Sequence, residues 1–251
     1  MKIKKRIQSG RLVETIIYSA PCIADKNPRV RAEKKRVSTE AQKRLNNKHR
    51  WQKLMRLIAA NFDISGYFCT LTYSDEYLPD SRKKAVGKMR RCIESGKRQL
   101  AAQTGSKELP YLYITEEISD AGEPARLHHH MILNREHVDL IRKIWKWGSV
   151  DYERIDAFGY EQVAKYMCKE RMQDDRVGAR AWSQSKGLKK PVVETTYCKD
   201  DDDVTAPPGC HVLQDSGPVR TEFAEMHYLS YLILHEPRAW HTRPVRSGRK
   251  E

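Results

Sequence analysis

Two β-rich runs lie close together in the chain: YLYITEE (Tyr111–Glu117) and RLHHHMIL (Arg126–Leu133). The segment between them carries Gly122 and Pro124, residues that punctuate turns. Each run mixes aromatic, β-branched and aliphatic residues, so the pair reads as a β-hairpin, which commits this part of the chain to antiparallel pairing. Around it, the pattern reads as a helix from Thr39 to Asn61, a strand at Tyr67–Ser74, a helix at Arg82–Gln103, the hairpin, a helix at Glu136–Trp147, a strand at Ser149–Ile155 and a helix at Gly159–Gln173. Thr39 with Gln42 has the spacing of a capping box. Strands separated by helices but joined by a hairpin predict an α+β fold, an antiparallel or mixed sheet with helices on one side. Further on, Cys210–Gln214 adds a candidate strand, and Thr221–His235 shows helix-like spacing in Phe223, Met226, Leu229, Leu232 and Ile233.

Charge narrows the function classes. The chain of 251 residues carries a formal net charge of +14. Residues 1–60 hold 17 Lys and Arg against 4 Asp and Glu, so nearly all of the excess sits in the first quarter. Such a stretch favours a polyanionic partner, most often nucleic acid, although a basic tail without a partner has the same composition. Residues 1–37 read as a flexible basic arm and the chain from Arg238 as a basic tail. No apolar run has the length of a membrane span and no apolar segment follows the basic start, so neither membrane insertion nor secretion is expected. The six cysteines (Cys22, Cys69, Cys92, Cys168, Cys198, Cys210) contain no CxxC pair, which argues against a zinc ribbon and for a reducing compartment.

Strand alternation divides the three histidines. His128 and His130 share a face with Ile132, while His129 points the other way with Leu127 and Met131. Two imidazoles one pleat repeat apart can bind the same cation, and the neighbouring strand offers Glu116 or Glu117. If the face bearing Leu112 and Ile114 is the inner one, Glu116 is the better third ligand. Two histidines and a carboxylate with open positions suit Mg²⁺ or Mn²⁺ holding a phosphate oxygen. HxH alone is also compatible with a surface strand that binds nothing. In YEQVAKYMCKE, Tyr166 and Lys169 are i and i+3 and lie side by side on a helix. A tyrosine beside a cation can act as a nucleophile, and a core tyrosine with a solvated lysine has the same pattern. Tyr160 falls on a different helix face. Trp145 and Trp147 could stack on bases or pack in the core, and Arg126, Lys165 and the Arg180–Lys190 region are candidate DNA-backbone contacts.

In order, CTLTYSDEYLP (Cys69–Pro79), RLHHHMIL and VAKYMCKE resemble the three motifs of the HUH endonucleases, specifically the rolling-circle replication initiation (Rep) proteins of bacterial plasmids, phages and integrative elements. The resemblance spans roughly residues 38–235, which it implies form an HUH endonuclease domain between the arm at 1–37 and the tail at 236–251. It implies an RRM-like core with a central antiparallel sheet and flanking helices. It implies His128, His130 and Glu116 as ligands of Mg²⁺ or Mn²⁺, Tyr166 as nucleophile and Lys169 as its companion. The activity implied is nicking and joining of single-stranded origin DNA through a 5′-phosphotyrosine, in the cytoplasm of a bacterial host that supplies helicase and DNA polymerase. The chain departs from the family's pattern at His129, where a bulky hydrophobe is usual, and at EPAR, where many relatives have Gly-Arg. A related transposase, a mobilisation relaxase or a non-catalytic nucleic-acid-binding protein are the alternatives.

Overall fold

The computed structural model describes residues 2–19, 40–63, 65–118, 123–173, 181–198, 204–220 and 225–234. They form ten strands and four α-helices in two antiparallel five-stranded sheets. The first sheet holds β3 (Gly66–Leu71), β4 (Leu112–Ile118), β5 (Pro124–Asn134), β6 (Val150–Arg154) and β7 (Ser183–Gln184), in the order β6-β3-β5-β4-β7. This is the α+β architecture that the hairpin and the alternating elements predict, and it is consistent with the RRM-like core that the resemblance implies.

Helices cover both faces of this sheet rather than one. On one face, Cys69, Leu71, Tyr113, Met131 and Leu133 pack with α2 (Arg82–Thr104) and α3 (Arg135–Ile144). On the other, Leu112, Ile114 and Ile132 pack with α1 (Glu40–Asn61) and α4 (Tyr160–Gln173). Both faces are therefore apolar, and alternation assigns each strand residue to one helix pair or the other. The second helix begins at Ser81, whose side chain accepts a hydrogen bond from Lys84 N, and ends at Gly105 in the left-handed conformation. Helix α1 buries Leu54, Met55, Leu57 and Ile58, whereas Leu45, expected on the same stripe, stands exposed. Thr39 lies outside the described residues, and the Gln42 amide donates to Asn46 Oδ1 at 2.9 Å.

The second sheet corrects three readings of the sequence. Its order is β8-β1-β2-β10-β9, formed by β1 (Lys2–Ser9), β2 (Leu12–Ser19), β8 (Val192–Cys198), β9 (Cys210–Arg220) and β10 (Glu225–Ile233). Residues 2–19, read as part of a flexible arm, are thus a hairpin; residues 20–39 lie outside the described set. Lysine-rich β1 is a strand because its alternation is amphipathic. Ile3 and Ile7 share a face with Glu14 of β2, and Lys2, Lys4 and Arg6 take the opposite face. The segment Thr221–His235, read as a helix, is a strand over Glu225–Ile233. As a central strand it is buried on both faces, Leu229 and Tyr231 on one and Ser230 and Leu232 on the other, which hides its period of two. Strand β8, VVETTYC, has no counterpart among the elements expected from the sequence, and the strand expected at Cys210–Gln214 runs on to Arg220.

Helix α1 lies between the sheets. Leu12 and Leu232 of the second sheet join Leu54 and Ile58 of α1, Phe62 just after it, and Ile114 and Ile132 of the first sheet in one cluster. Gly10, at the β1–β2 turn, has φ 59°, and a Cβ there would run into the carbonyl of Ala59. A buried ion pair spans the same boundary: Arg56 donates to fully buried Glu14 at 2.6 and 3.0 Å, and the Tyr228 hydroxyl adds a bond of 3.0 Å. Among the described residues no helix is long and apolar enough to cross a membrane.

Candidate metal centre and its tyrosine

The hairpin register builds the site. Glu116 sits directly across from His128, Ile114 from His130, and Thr70 of β3 flanks His130 on its other side. Cross-strand partners share a face, so Glu116, His128 and His130 all project from the face covered by α1 and α4. Their candidate ligand atoms lie within 4.8 Å of one another. His130 Nε2 is 3.2 Å and His128 Nε2 is 3.7 Å from Glu116 Oε2, and the two Nε2 atoms are 3.1 Å apart. Among the described residues this is the grouping of His, Cys, Asp and Glu side chains that could share an ion.

The outer contacts orient the rings. His128 Nδ1 is 2.8 Å from the carbonyl of Arg126. A carbonyl only accepts, so Nδ1 carries the proton and the Nε2 lone pair faces the cluster. His130 Nδ1 meets the Thr70 hydroxyl at 3.2 Å, and its ring stacks on Phe68 with centroids 4.9 Å apart. Burial works to raise the Glu116 carboxyl, but the nearby His130 and Lys169 outweigh it and hold the group below its usual range. Burial also lowers His130, against the pull of Glu116, which favours the neutral imidazole that a metal requires. Glu116 Oε2 is buried and has no hydrogen-bond partner. An unsatisfied carboxylate oxygen facing two imidazole nitrogens is a donor set that a hard divalent cation would satisfy.

Helix α4 brings Tyr166 and Lys169 to this cluster. The Tyr166 hydroxyl is 3.1 Å from His130 Nε2. Lys169 Nζ is 2.7 Å from Glu116 Oε1 and lies over the Tyr166 ring, 3.8 Å from its centroid. The ammonium therefore faces both the carboxylate and the tyrosine π-face. Five residues singled out in the sequence, Glu116, His128, His130, Tyr166 and Lys169, thus meet in one place.

The others go elsewhere. His129 is fully buried on the α2/α3 face, 2.7 Å from the Tyr73 hydroxyl and 2.9 Å from the Thr115 hydroxyl. Burial, aided by the charge of His128, pushes it down to about 3, so it is a neutral core histidine. Arg126 donates to the carbonyl of Tyr73 at 2.9 Å and pairs with Asp75 at 2.7 Å. Lys165 is exposed, paired with Glu161 at 2.5 Å and set over the Trp51 ring; it does not reach the cluster. Trp145 is buried and donates to Thr72 O, and Trp147 packs edge-on against it, so the WKWG pair serves packing. Tyr160 is buried and bonded to Asp63, away from the site. Cys69, Cys92 and Cys168 are buried free thiols pushed up to about 12 by desolvation, which leaves them unsuited to metal binding or nucleophilic work. Phe68 and Thr70, which support His130, do not stand out individually in the sequence. Their signal is period-two placement on the strand that pairs with the histidines.

Residues 66–171 match the family model of the replication-associated proteins of the ORF2 type. No curated protein and no solved structure matches the chain. The matched segment holds the whole cluster, from β3 through the hairpin to Tyr166 and Lys169. Over this segment the chain is similar to a family of replication-associated proteins.

Proposed function

We propose that the protein is an HUH-type endonuclease and strand transferase that starts rolling-circle replication by nicking single-stranded DNA at an origin. The observation that carries this reading is the meeting of a His/His/Glu donor set with a tyrosine and a lysine within hydrogen-bonding reach. Mg²⁺ or Mn²⁺ bound by Glu116, His128 and His130 supplies Lewis acidity toward a phosphate oxygen. Tyr166 Oη attacks the phosphorus, the bond from phosphorus to the 3′ oxygen breaks, and a 5′-phosphotyrosine forms. The phenol proton passes to solvent and the departing 3′ oxygen takes one up. Lys169 stabilises the phenolate through its place over the ring. Arg126, at the end of β5 that leads into His128, contributes a backbone contact, and Lys165 a more distant one. The phosphotyrosine retains the energy of the broken ester for rejoining, and the free 3′-hydroxyl primes a host polymerase behind a host helicase, in the bacterial cytoplasm.

The test is a labelled single-stranded origin oligonucleotide incubated with Mn²⁺. The unaltered protein forms a covalent adduct that migrates with the protein under denaturing conditions, and Tyr166→Phe forms none. Binding without cleavage or adduct would make the chain a non-catalytic nucleic-acid-binding protein instead. Joining without any replication from the origin would point to a transposase or relaxase.

A further inference from the structure

A groove of about 640 Å³ runs between α1 and the segment 181–190, outside the family-matched residues. Arg50 and Lys53 line it from the helix, and Trp182, Gln184, Lys186 and Lys190 from the other side. Four of these six carry positive charge, and no carboxylate lines the groove. Lys53, Lys186 and Lys190 are exposed and have no ion-pair partner among the described residues. These three lysine ammoniums repel one another, and an anion threaded between them relieves that repulsion. Half-buried Trp182 packs on the α1/α4 core, and its Nε1 donates to Gln184 Oε1 at 2.9 Å, so its ring is held in position before any ligand arrives.

The groove borders the sheet that carries the metal cluster. Gln184 pairs with Leu112 on β4, four residues from Glu116 on the same strand and the same face. At the rise of a strand that separation is about 13 Å. Leu112 and Ile114, between the two, are buried under α1 and α4, so the groove is a site apart from the metal cluster rather than a continuation of it.

We propose that this groove is a subsite for single-stranded DNA, with phosphates on Arg50, Lys53, Lys186 and Lys190 and one base stacked on Trp182. It rests on the reading that the chain acts on single-stranded DNA, and it places part of the affinity outside the nicking centre. Aromatic stacking with flanking cations holds a strand without demanding a particular base. The groove thus supplies grip rather than origin selection.

The test is fluorescence anisotropy of a labelled oligo-dT with the full chain in EDTA, where no metal-dependent cutting occurs. Trp182→Ala weakens binding about 5- to 150-fold, the range for one lost stacked base, and Trp182→Phe restores most of it. Lys53→Ala with Lys190→Ala lowers the slope of log K against log salt by about 1.4, from two lost phosphate contacts on a single strand. Both lysines are exposed, so this pair decides the matter even if Trp182→Ala fails to fold. Unchanged binding and salt slope in the lysine pair would overturn the groove while leaving Tyr166-dependent nicking intact. No binding of oligo-dT by the unaltered protein would overturn the groove and the proposed function together. Tighter binding of oligo-U than of oligo-dT would overturn the assignment to DNA.

Discussion

At the scale of single residues, three adjacent histidines occupy two chemical environments because the strand alternates. His128 and His130 face a carboxylate and a tyrosine; His129 faces Tyr73 and Thr115 in a dry core. Replacing His128 and His130 together with alanine is expected to abolish Mn²⁺ binding in titration calorimetry, whereas retained binding would remove the cluster as the metal site. His129→Leu has the opposite profile. It leaves buried hydroxyls short of a partner and costs about 1–3 kcal/mol, read in a denaturant titration, while Mn²⁺ affinity is preserved. If His129→Leu instead lost the metal without losing stability, the division of the three histidines between the two faces would be wrong. This division was legible in the sequence, because the aliphatic residues Leu112, Ile114 and Ile132 mark which face carries Glu116 and the histidine pair. The supporting contacts of Thr70 and Phe68 were not legible individually, since they depend on the register between β3 and β5, which brings together residues 60 apart in the chain.

At the scale of elements, helix α1 is the hub of the architecture, packed on α4 and touched by both sheets. Its Arg56 is answered by Glu14, fully buried on β2. Removing the carboxylate strands a largely buried guanidinium. Glu14→Ala is therefore expected to destabilise the fold by about 3 kcal/mol or more, measured as a drop in the denaturation midpoint. A midpoint within experimental error of the unaltered protein would mean that the second sheet does not depend on this ion pair. Four strands of the first sheet could be read from the sequence because each follows a turn or a helix, whereas two-residue β7 has no counterpart among the expected elements. The second sheet could not, for identifiable reasons. Strand β1 presents Lys2, Lys4 and Arg6 on one face and so has the composition of a solvated arm. Strand β10 is buried on both faces and has apolar residues at spacings that also suit a helix. Strand β10 pairs with β2, and β8 with β1, across most of the length of the chain, so no hairpin signal joins them.

At the scale of the whole molecule, the positive charge is divided by destination. In the N-terminal strands part of it is answered within the sheet, Lys2 by Glu225 at 3.2 Å and Arg6 by Glu194 at 3.5 Å. In α1, by contrast, Arg50 and Lys53 face the groove beside Trp182. The charge excess of residues 1–60 is thus not a single free arm, and deleting them would remove two strands and the central helix along with any DNA contact. Under the proposed function, the nicking centre lies on the first sheet and the basic groove is a separate site beside α1, the helix on which the second sheet packs. The most direct measurement is the mass of the tryptic peptide Tyr166–Lys169 after reaction with single-stranded origin DNA and Mn²⁺. This peptide is expected to carry the nucleotide through a phosphotyrosine. A nucleotide found on another tyrosine such as Tyr160, or cleaved DNA with no protein adduct, would contradict it.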